Sequence, residues 1–95
     1  MGVYVVLSNL TDEGRKTVME NPGRIKEVNK EIEERGAKIL NQYVLMGQYD
    51  FLTIIEAPDK KTMTKIAMEM GSRGTVDTIT LPTMDVDELI NSVKE

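Results

Sequence analysis

Apolar residues along the chain follow two spacings, one typical of strands and one typical of helices. The run Val3–Leu7 is rich in β-branched residues and predicts a first strand. Ile25, Val28 and Ile32 are three and four residues apart, which places them on one face of a helix. Gly36 then predicts the end of that helix, because glycine adopts the left-handed conformation of a helix C-terminus without strain.

The segment between this strand and this helix predicts an earlier helix. Thr11 is suited to cap a helix that begins with Asp12, since acidic residues stabilise the positive end of a helix dipole. The run Asn21-Pro22-Gly23 interrupts this helix. We predict that a second helix begins there, with Asn21 as its cap and Pro22 at the first helical position. Proline is tolerated at that position because a backbone N–H there would have no partner within the helix.

A hairpin is predicted to follow. Ala37–Met46 and Asp50–Glu56 are strand-like, and a tight turn that contains Gly47 joins them, so the two strands are antiparallel. Simple alternation in the first of them divides its apolar residues between two faces. Those faces are Ile39, Tyr43 and Leu45 on one side and Leu40, Val44 and Met46 on the other.

The last part of the chain predicts one more helix and one more strand. Pro58-Asp59 opens a helix with four residues at helical spacing, namely Met63, Ile66, Ala67 and Met70. Thr75–Leu81 is rich in threonine, valine and isoleucine and predicts a fourth strand. Val86–Val93 is short and predicts a terminal helix or turn.

This order is β-α-β-β-α-β with a C-terminal helix, which predicts an α+β, ferredoxin-like fold. In that arrangement a four-stranded antiparallel sheet carries its two main helices on one face. The right-handed crossover rule excludes most other topologies. We predict that residues 1–95 form a single domain of this type.

The strands do not alternate cleanly between apolar and polar residues. In the first strand Val3, Val5 and Leu7 lie on one face, but Tyr4 and Val6 lie on the other. The helices cover only one face, so the second apolar face needs another cover. We therefore predict a homodimer, or an assembly of dimers, in which two sheets close into a two-chain α+β barrel.

Composition removes several classes of function. The chain contains no cysteine and no histidine, so it lacks the usual ligands of zinc and haem, and we expect neither a metal nor a cofactor. A net charge of −4 argues against nucleic-acid binding, which depends on neutralising phosphates. No apolar run is long enough to span a membrane, and no signal peptide is recognisable, so we expect no membrane association and a cytoplasmic location.

Four short motifs resemble those of a known family. They are Gly47-Gln48-Tyr49-Asp50, Glu56-Ala57-Pro58-Asp59, Gly71-Ser72-Arg73-Gly74 and Thr78-Ile79-Thr80-Leu81. In this order and spacing they resemble the GYD-domain family of small bacterial and archaeal proteins. The resemblance implies a dimeric α+β barrel and no particular reaction. The chain departs from the family at Asp77, near which the family often has a basic residue.

A looser similarity links the chain to the effector-binding domains of leucine-responsive regulators. Those domains also have a glycine, an aromatic residue and an aspartate before their third strand, and they assemble and bind small ligands. No helix-turn-helix segment accompanies the domain in this sequence.

Tyr49 and Asp50 are candidate ligand-binding residues at the hairpin turn. Asp50 is suited to orient or deprotonate a ligand, but a short acidic side chain also fixes turns by accepting backbone N–H groups, which we favour. Tyr49 is suited to donate a hydrogen bond to a ligand, and packing of its ring is the favoured alternative.

Three further candidates lie in the second half of the chain. The fork of donors in Arg73 is suited to a carboxylate or phosphate, although an arginine at a helix C-terminus also stabilises the helix dipole. Thr78 and Thr80 share one face of the last strand and are suited to line a polar cavity, unless they serve only as strand formers.

Three functions remain open from these residues. We favour a non-enzymatic module that binds a small ligand or regulates another process as a homodimer. A cofactor-independent oxygenase, isomerase or decarboxylase is the alternative, with Asp50 or Glu56 as a buried base. A purely structural interaction subunit is the third.

Overall fold

A computed structural model describes all 95 residues and contains four strands and four helices. They are β1 (Gly2–Leu10), α1 (Asp12–Glu20), α2 (Arg24–Glu34), β2 (Lys38–Val44), β3 (Phe51–Ala57), α3 (Lys60–Ser72), β4 (Val76–Pro82) and α4 (Val86–Lys94). The predicted order of strands and helices is confirmed, with the first helical region divided into α1 and α2. No helix is both long enough and apolar enough to span a lipid bilayer.

The four strands form one antiparallel sheet in the order β2-β3-β1-β4. In the centre of the sheet Val6 of β1 lies opposite Thr53 of β3 on one side and Thr80 of β4 on the other. The two strands of the hairpin are thus neighbours, and β1 lies between β3 and β4. This is the ferredoxin-like arrangement that the element order predicts.

The core lies between α1–α3 and one face of the sheet, which we call the helix face. It consists of eight buried apolar residues, namely Tyr4, Val6, Ile32, Ala37, Ile55, Ala57, Met63 and Ile66. Only 11 of the 95 residues are buried, so this core is small for the length of the chain. Met19, Met46, Met68 and Met84 are exposed rather than core residues.

The opposite face, which we call the open face, is covered by no element of the chain. Strand register assigns to it the residues that alternate with the buried ones, including Val3, Val5, Leu7, Leu52, Ile54, Ile79 and Leu81. Ile79 and Leu81 are 45% and 43% exposed. The sequence argument for an apolar second face is therefore supported by the register.

In β2 the simple alternation predicted from the sequence is wrong. The register between β2 and β3 shifts between Ile39 and Asn41, so Leu40 is an extra residue in the strand. Because of this shift Ile39 packs against the core, on the same face as Val44 and opposite to Tyr43. A one-residue bulge changes the face of every residue that precedes it.

The connection between α1 and α2 also differs from the prediction. Thr11 does cap α1, since its hydroxyl accepts the backbone N–H of Gly14 at 3.1 Å. Asn21, however, ends α1 by donating its backbone N–H to the carbonyl of Thr17 at 2.7 Å. The carbonyl of Asn21 accepts the N–H of Arg24 at 3.0 Å, so Asn21-Pro22-Gly23 is a turn and α2 begins only after it.

The C-terminal helix α4 is separate from the core. Thr83 joins the end of β4 to Val3 by two hydrogen bonds, from its backbone N–H at 3.2 Å and from its hydroxyl at 2.7 Å. Every residue of α4 beyond that point is exposed, including the apolar Val86, Leu89, Ile90 and Val93. The radius of gyration of 14.7 Å exceeds the value of about 12.4 Å expected for a compact domain of this length.

Candidate functional site

A cavity of about 370 Å³ lies between the helix face of the sheet and helices α1 and α2. Its volume falls within the range of small-molecule sites. Half of its 20 lining residues are hydrophobic, and they include Val6, Leu10, Val28, Phe51, Ile55 and Met70. It is partly open to solvent, and the side chains of Arg24 and Arg73 in its lining are each 35% exposed, so we place its mouth there.

Helix α1 forms one wall of the cavity and closely approaches the start of β4. Thr11 donates its backbone N–H to the carbonyl of Thr75 at 3.0 Å and its hydroxyl to the carbonyl of Gly74 at 2.7 Å. A side-chain carbon at Gly14 would lie 2.0 Å from the Thr75 carbonyl oxygen, so only glycine fits at this contact. The wall formed by α1 is thus held firmly against the start of β4.

Polar side chains from all four strands line the sheet side of the cavity. Ser8 and Thr53 are both buried, and Ser8 lies opposite Thr78 in the register of β1 with β4. Gln42 donates its side-chain N–H to the Thr53 hydroxyl at 3.2 Å, and it forms a reciprocal pair of hydrogen bonds with Asn29 of α2 at 2.7 and 3.2 Å. This network links α2 to the edge of the sheet and surrounds an apolar space with neutral polar groups.

Two arginines at the mouth are the only charged residues that line the cavity. Arg24 Nη1 lies 3.4 Å from Glu31 Oε1, and Arg73 Nη2 lies 2.5 Å from Glu31 Oε2. Glu31 therefore bridges the start of α2 and the residue that ends α3. The hydrogen bond from Arg73, with the charges of both arginines, lowers the pKa of the Glu31 carboxyl below its ordinary value.

Asp50 lies outside the cavity and connects the hairpin turn to β1. Its carboxylate accepts the backbone N–H of Leu10 at 2.8 Å, and its own N–H is donated to the carbonyl of Ser8 at 2.9 Å. The carbonyl of Asp50 accepts the N–H of Leu45 at 2.8 Å, across the turn. Three segments of backbone therefore meet at this one residue.

Comparisons with known proteins identify the same family that the four sequence motifs resemble. A family model described as the GYD domain matches residues 4–93. The chain belongs to the GYD-domain family. The sequence is also similar to a protein of Thermus thermophilus named "Glutamine synthetase and cystathionine beta-lyase binding protein". The two are 43% identical over 95 residues, which cover 99% of this chain and all of that protein.

Three solved structures resemble this GYD domain in fold at low sequence identity. The crystal structure of MtbAldR has a TM-score of 0.64 at 18% identity and covers 88% of this chain, which spans about half (52%) of that protein. FFRP-DM1 has a TM-score of 0.60 at 17% identity and covers 88% of this chain and 100% of its own. TTHA0845 from Thermus thermophilus has a TM-score of 0.57 at 17% identity, with 90% and 95% coverage.

The structure divides the five predicted ligand-binding residues of the GYD domain into three places. Arg73 and Thr78 line the cavity. Thr80 lies two residues after Thr78 on the same strand face, opposite Val6, and is half-buried without lining the cavity. Tyr49 and Asp50 lie at the hairpin turn, so they do not share a site with Arg73.

Sequence reasoning missed the polar residues of β1, β2, β3 and α2 that line the GYD-domain cavity. Ser8 and Thr53 carried a signal, because each is a polar residue in a row that is otherwise apolar and buried. Asn29 and Gln42 carried no such signal, because a polar residue beside the apolar stripe of a helix or strand is common at a protein surface.

The candidate bases of the enzyme hypothesis are not among the residues that line the cavity. Asp50 is bonded to the Leu10 backbone, and Glu56 pairs in register with Val3 and Lys38, in the row of β3 that belongs to the open face. The lining of arginine, hydroxyl and amide groups provides donors for a bound ligand. Binding is therefore the chemistry that this geometry favours.

Proposed function

We propose that this GYD-domain protein is a non-enzymatic regulatory module that acts as a homodimer and binds a metabolic enzyme in the cytoplasm. The observation that carries the proposal is the 43% identity, over the full length of both chains, to a protein named for binding glutamine synthetase and cystathionine β-lyase. Such similarity makes a shared mode of action the simplest expectation. Those two enzymes are the first partners to test.

Surface area supports the homodimer. The accessible surface of the chain is 6779 Å², whereas a compact monomer of 10.7 kDa exposes about 5,500 Å². The excess is about 1,300 Å², and a standard interface buries about 800 Å² on each partner. The chain therefore exposes more surface than a stable monomer of its size, by an amount that a dimer interface removes.

The open face and α4 together form the surface that we assign to the second copy. Leu81 and Ile79 lie on the open face of β4, and α4 follows β4 after only three residues. The exposed apolar residues of α4 thus follow the apolar sheet face closely along the chain. Two open faces packed against each other, with each α4 against the partner, would bury most of the exposed apolar side chains.

Enzyme binding is tested with purified components from the organism that encodes this protein. The immobilised protein is exposed to its own glutamine synthetase and cystathionine β-lyase in a biolayer interferometry experiment, with an unrelated dehydrogenase as the control. We expect saturable binding of at least one of the two with a Kd of about 10 μM or below, and no binding of the dehydrogenase. Absence of binding to both enzymes would refute the partner assignment.

The regulatory part of the proposal has its own measurement. The activity of the enzyme that binds is assayed with increasing amounts of the protein. A non-enzymatic regulator changes that activity in a saturable manner, with a midpoint close to the measured Kd. An enzyme activity that stays constant at full occupancy would favour the structural-subunit alternative instead.

A further inference from the structure

The cavity has a chemical character that selects one class of ligand. Its walls are apolar and its sheet side carries neutral hydroxyl and amide groups, while both charged residues, Arg24 and Arg73, are at the mouth. A ligand that fills it therefore needs an apolar body inside and an anionic group at one end. We propose that the cavity binds a small amphipathic monocarboxylate, with its carboxylate at Arg73 and Arg24 and its hydrocarbon part between α2 and the sheet.

The ion pairs at the mouth favour one negative charge over two. Glu31 bridges Arg24 and Arg73, and Arg24 also lies 3.0 Å from Glu27. Two arginines are thus balanced by two glutamates, so the mouth has no net charge. A dianion is disfavoured more than a monoanion there, because more charge would be taken from water without a counter-charge. Each guanidinium still has free N–H donors, because the ion pairs occupy only Nη1 of Arg24 and Nη2 of Arg73.

The position of the guanidinium groups is determined by Glu31. Its two carboxylate oxygens face one arginine each, so both arginines are held beside the opening before any ligand arrives. Side-chain ordering is a cost of binding, and this arrangement reduces it. Arg73 follows α3 directly and Arg24 begins α2, so the two donors lie at the ends of two different helices.

The depth of the cavity supports the apolar part of the ligand. Val28 and Phe51 line it from the helix side and the sheet side, and Ile55 at its base is fully buried. Ser8 and Thr78 are opposite each other in the register of β1 with β4, and both line the cavity. They provide donors inside the cavity for one neutral polar atom of the ligand, while the carboxylate stays at the arginines.

Direct titration of the protein alone tests this inference, independently of any partner enzyme. The probe is 3-phenylpropionate, measured by isothermal titration calorimetry, with 3-phenylpropanamide as its neutral isostere and acetate as the isolated head group. We expect one-to-one binding of 3-phenylpropionate with a Kd below about 1 mM. We expect the amide to bind about tenfold more weakly, because a charge-assisted hydrogen bond is lost. A Kd above that value, or equal affinity for acid and amide, overturns the inference.

Two variants locate the binding. Arg73→Gln should weaken binding of 3-phenylpropionate about tenfold and leave the amide unchanged. Its matched control is Arg35→Gln, because Arg35 also pairs with a glutamate (Glu69, 2.6 Å) but does not line the cavity. Val28→Phe should abolish binding of both probes by filling the space, with a melting temperature at or above that of the wild type. Unchanged affinity in a folded Arg73→Gln or Val28→Phe protein contradicts the proposed site.

Discussion

Two charged residues that occupy similar turns in the sequence have different surroundings in the structure. Asp50 and Arg73 both lie in glycine-containing turns. The carboxylate of Asp50 is occupied by the backbone N–H of Leu10, whereas the guanidinium of Arg73 is at a cavity mouth beside Glu31. The side chain of Asp50 therefore stabilises the fold, and that of Arg73 is placed where a ligand would contact it.

We predict that Asp50 contributes to stability through its acceptor rather than its charge. Asp50→Ala leaves the Leu10 N–H without its partner and should lower the free energy of unfolding by about 1–2 kcal/mol. Asp50→Asn retains an oxygen acceptor at the same place and should cost less than Asp50→Ala. Urea denaturation followed by circular dichroism measures both. If neither variant differs from the wild type, the hydrogen bond to Leu10 does not stabilise the fold.

The N-terminal cap of α3 makes the stability of that helix depend on pH. Asp59 caps α3 by accepting the backbone N–H of Thr62 at 2.7 Å. That hydrogen bond lowers the pKa of the Asp59 carboxyl below its ordinary value of 3.8, because it stabilises the charged form. Since the pKa is lower in the folded state, the stabilisation is complete above the unfolded value. It is lost as the pH falls through the folded value.

Acid unfolding should therefore depend on this cap. Melting temperatures of the wild type and of Asp59→Asn are compared from about pH 6 down to about pH 2. Asparagine is also a good cap but does not titrate, so the melting temperature of the variant should fall less steeply below about pH 4. Parallel curves for the two proteins would show that the cap of α3 contributes nothing to acid stability.

The shape of the whole molecule indicates that part of its apolar surface lacks a cover. The chain measures 53 × 30 × 19 Å, and α4 is exposed along its whole length. The apolar residues of the open face and of α4 are both exposed, and large exposed apolar surfaces of this kind mark interaction sites on soluble proteins. The small number of buried residues is consistent with stability that depends on a second copy.

We predict a dimer with a mass twice the 10.7 kDa of the chain, measured by light scattering coupled to size-exclusion chromatography. Ile79→Glu on the open face and Leu89→Glu on α4 should each shift the protein toward the monomer, because a charge would be buried in the interface.

Met68→Glu is the matched control, since Met68 is 71% exposed on α3 and away from both surfaces. This variant should remain a dimer. A monomeric wild-type protein would remove the basis for assigning the open face to a second copy.

The sequence by itself determined the order of the elements, the starts of α1 and α3 and the existence of a second apolar face. Residue spacing and turn chemistry are local, so Thr11, Asp59 and Gly36 could be recognised without any knowledge of tertiary contacts. The four motifs were sufficient for the family as well, because they extend over most of the chain.

Only the tertiary structure decided the candidate site and the exact faces of β2. The cavity brings together Ser8, Asn29, Thr53 and Arg73 from four separate segments of the chain. No local sequence pattern predicts that these residues are close in space. The bulge at Leu40 depends on the pairing of β2 with β3, so alternation within one strand could not reveal it. Asp50 was predicted to accept N–H groups of its own turn, but its carboxylate accepts the N–H of Leu10 in β1, which is forty residues away in sequence and follows from the fold alone.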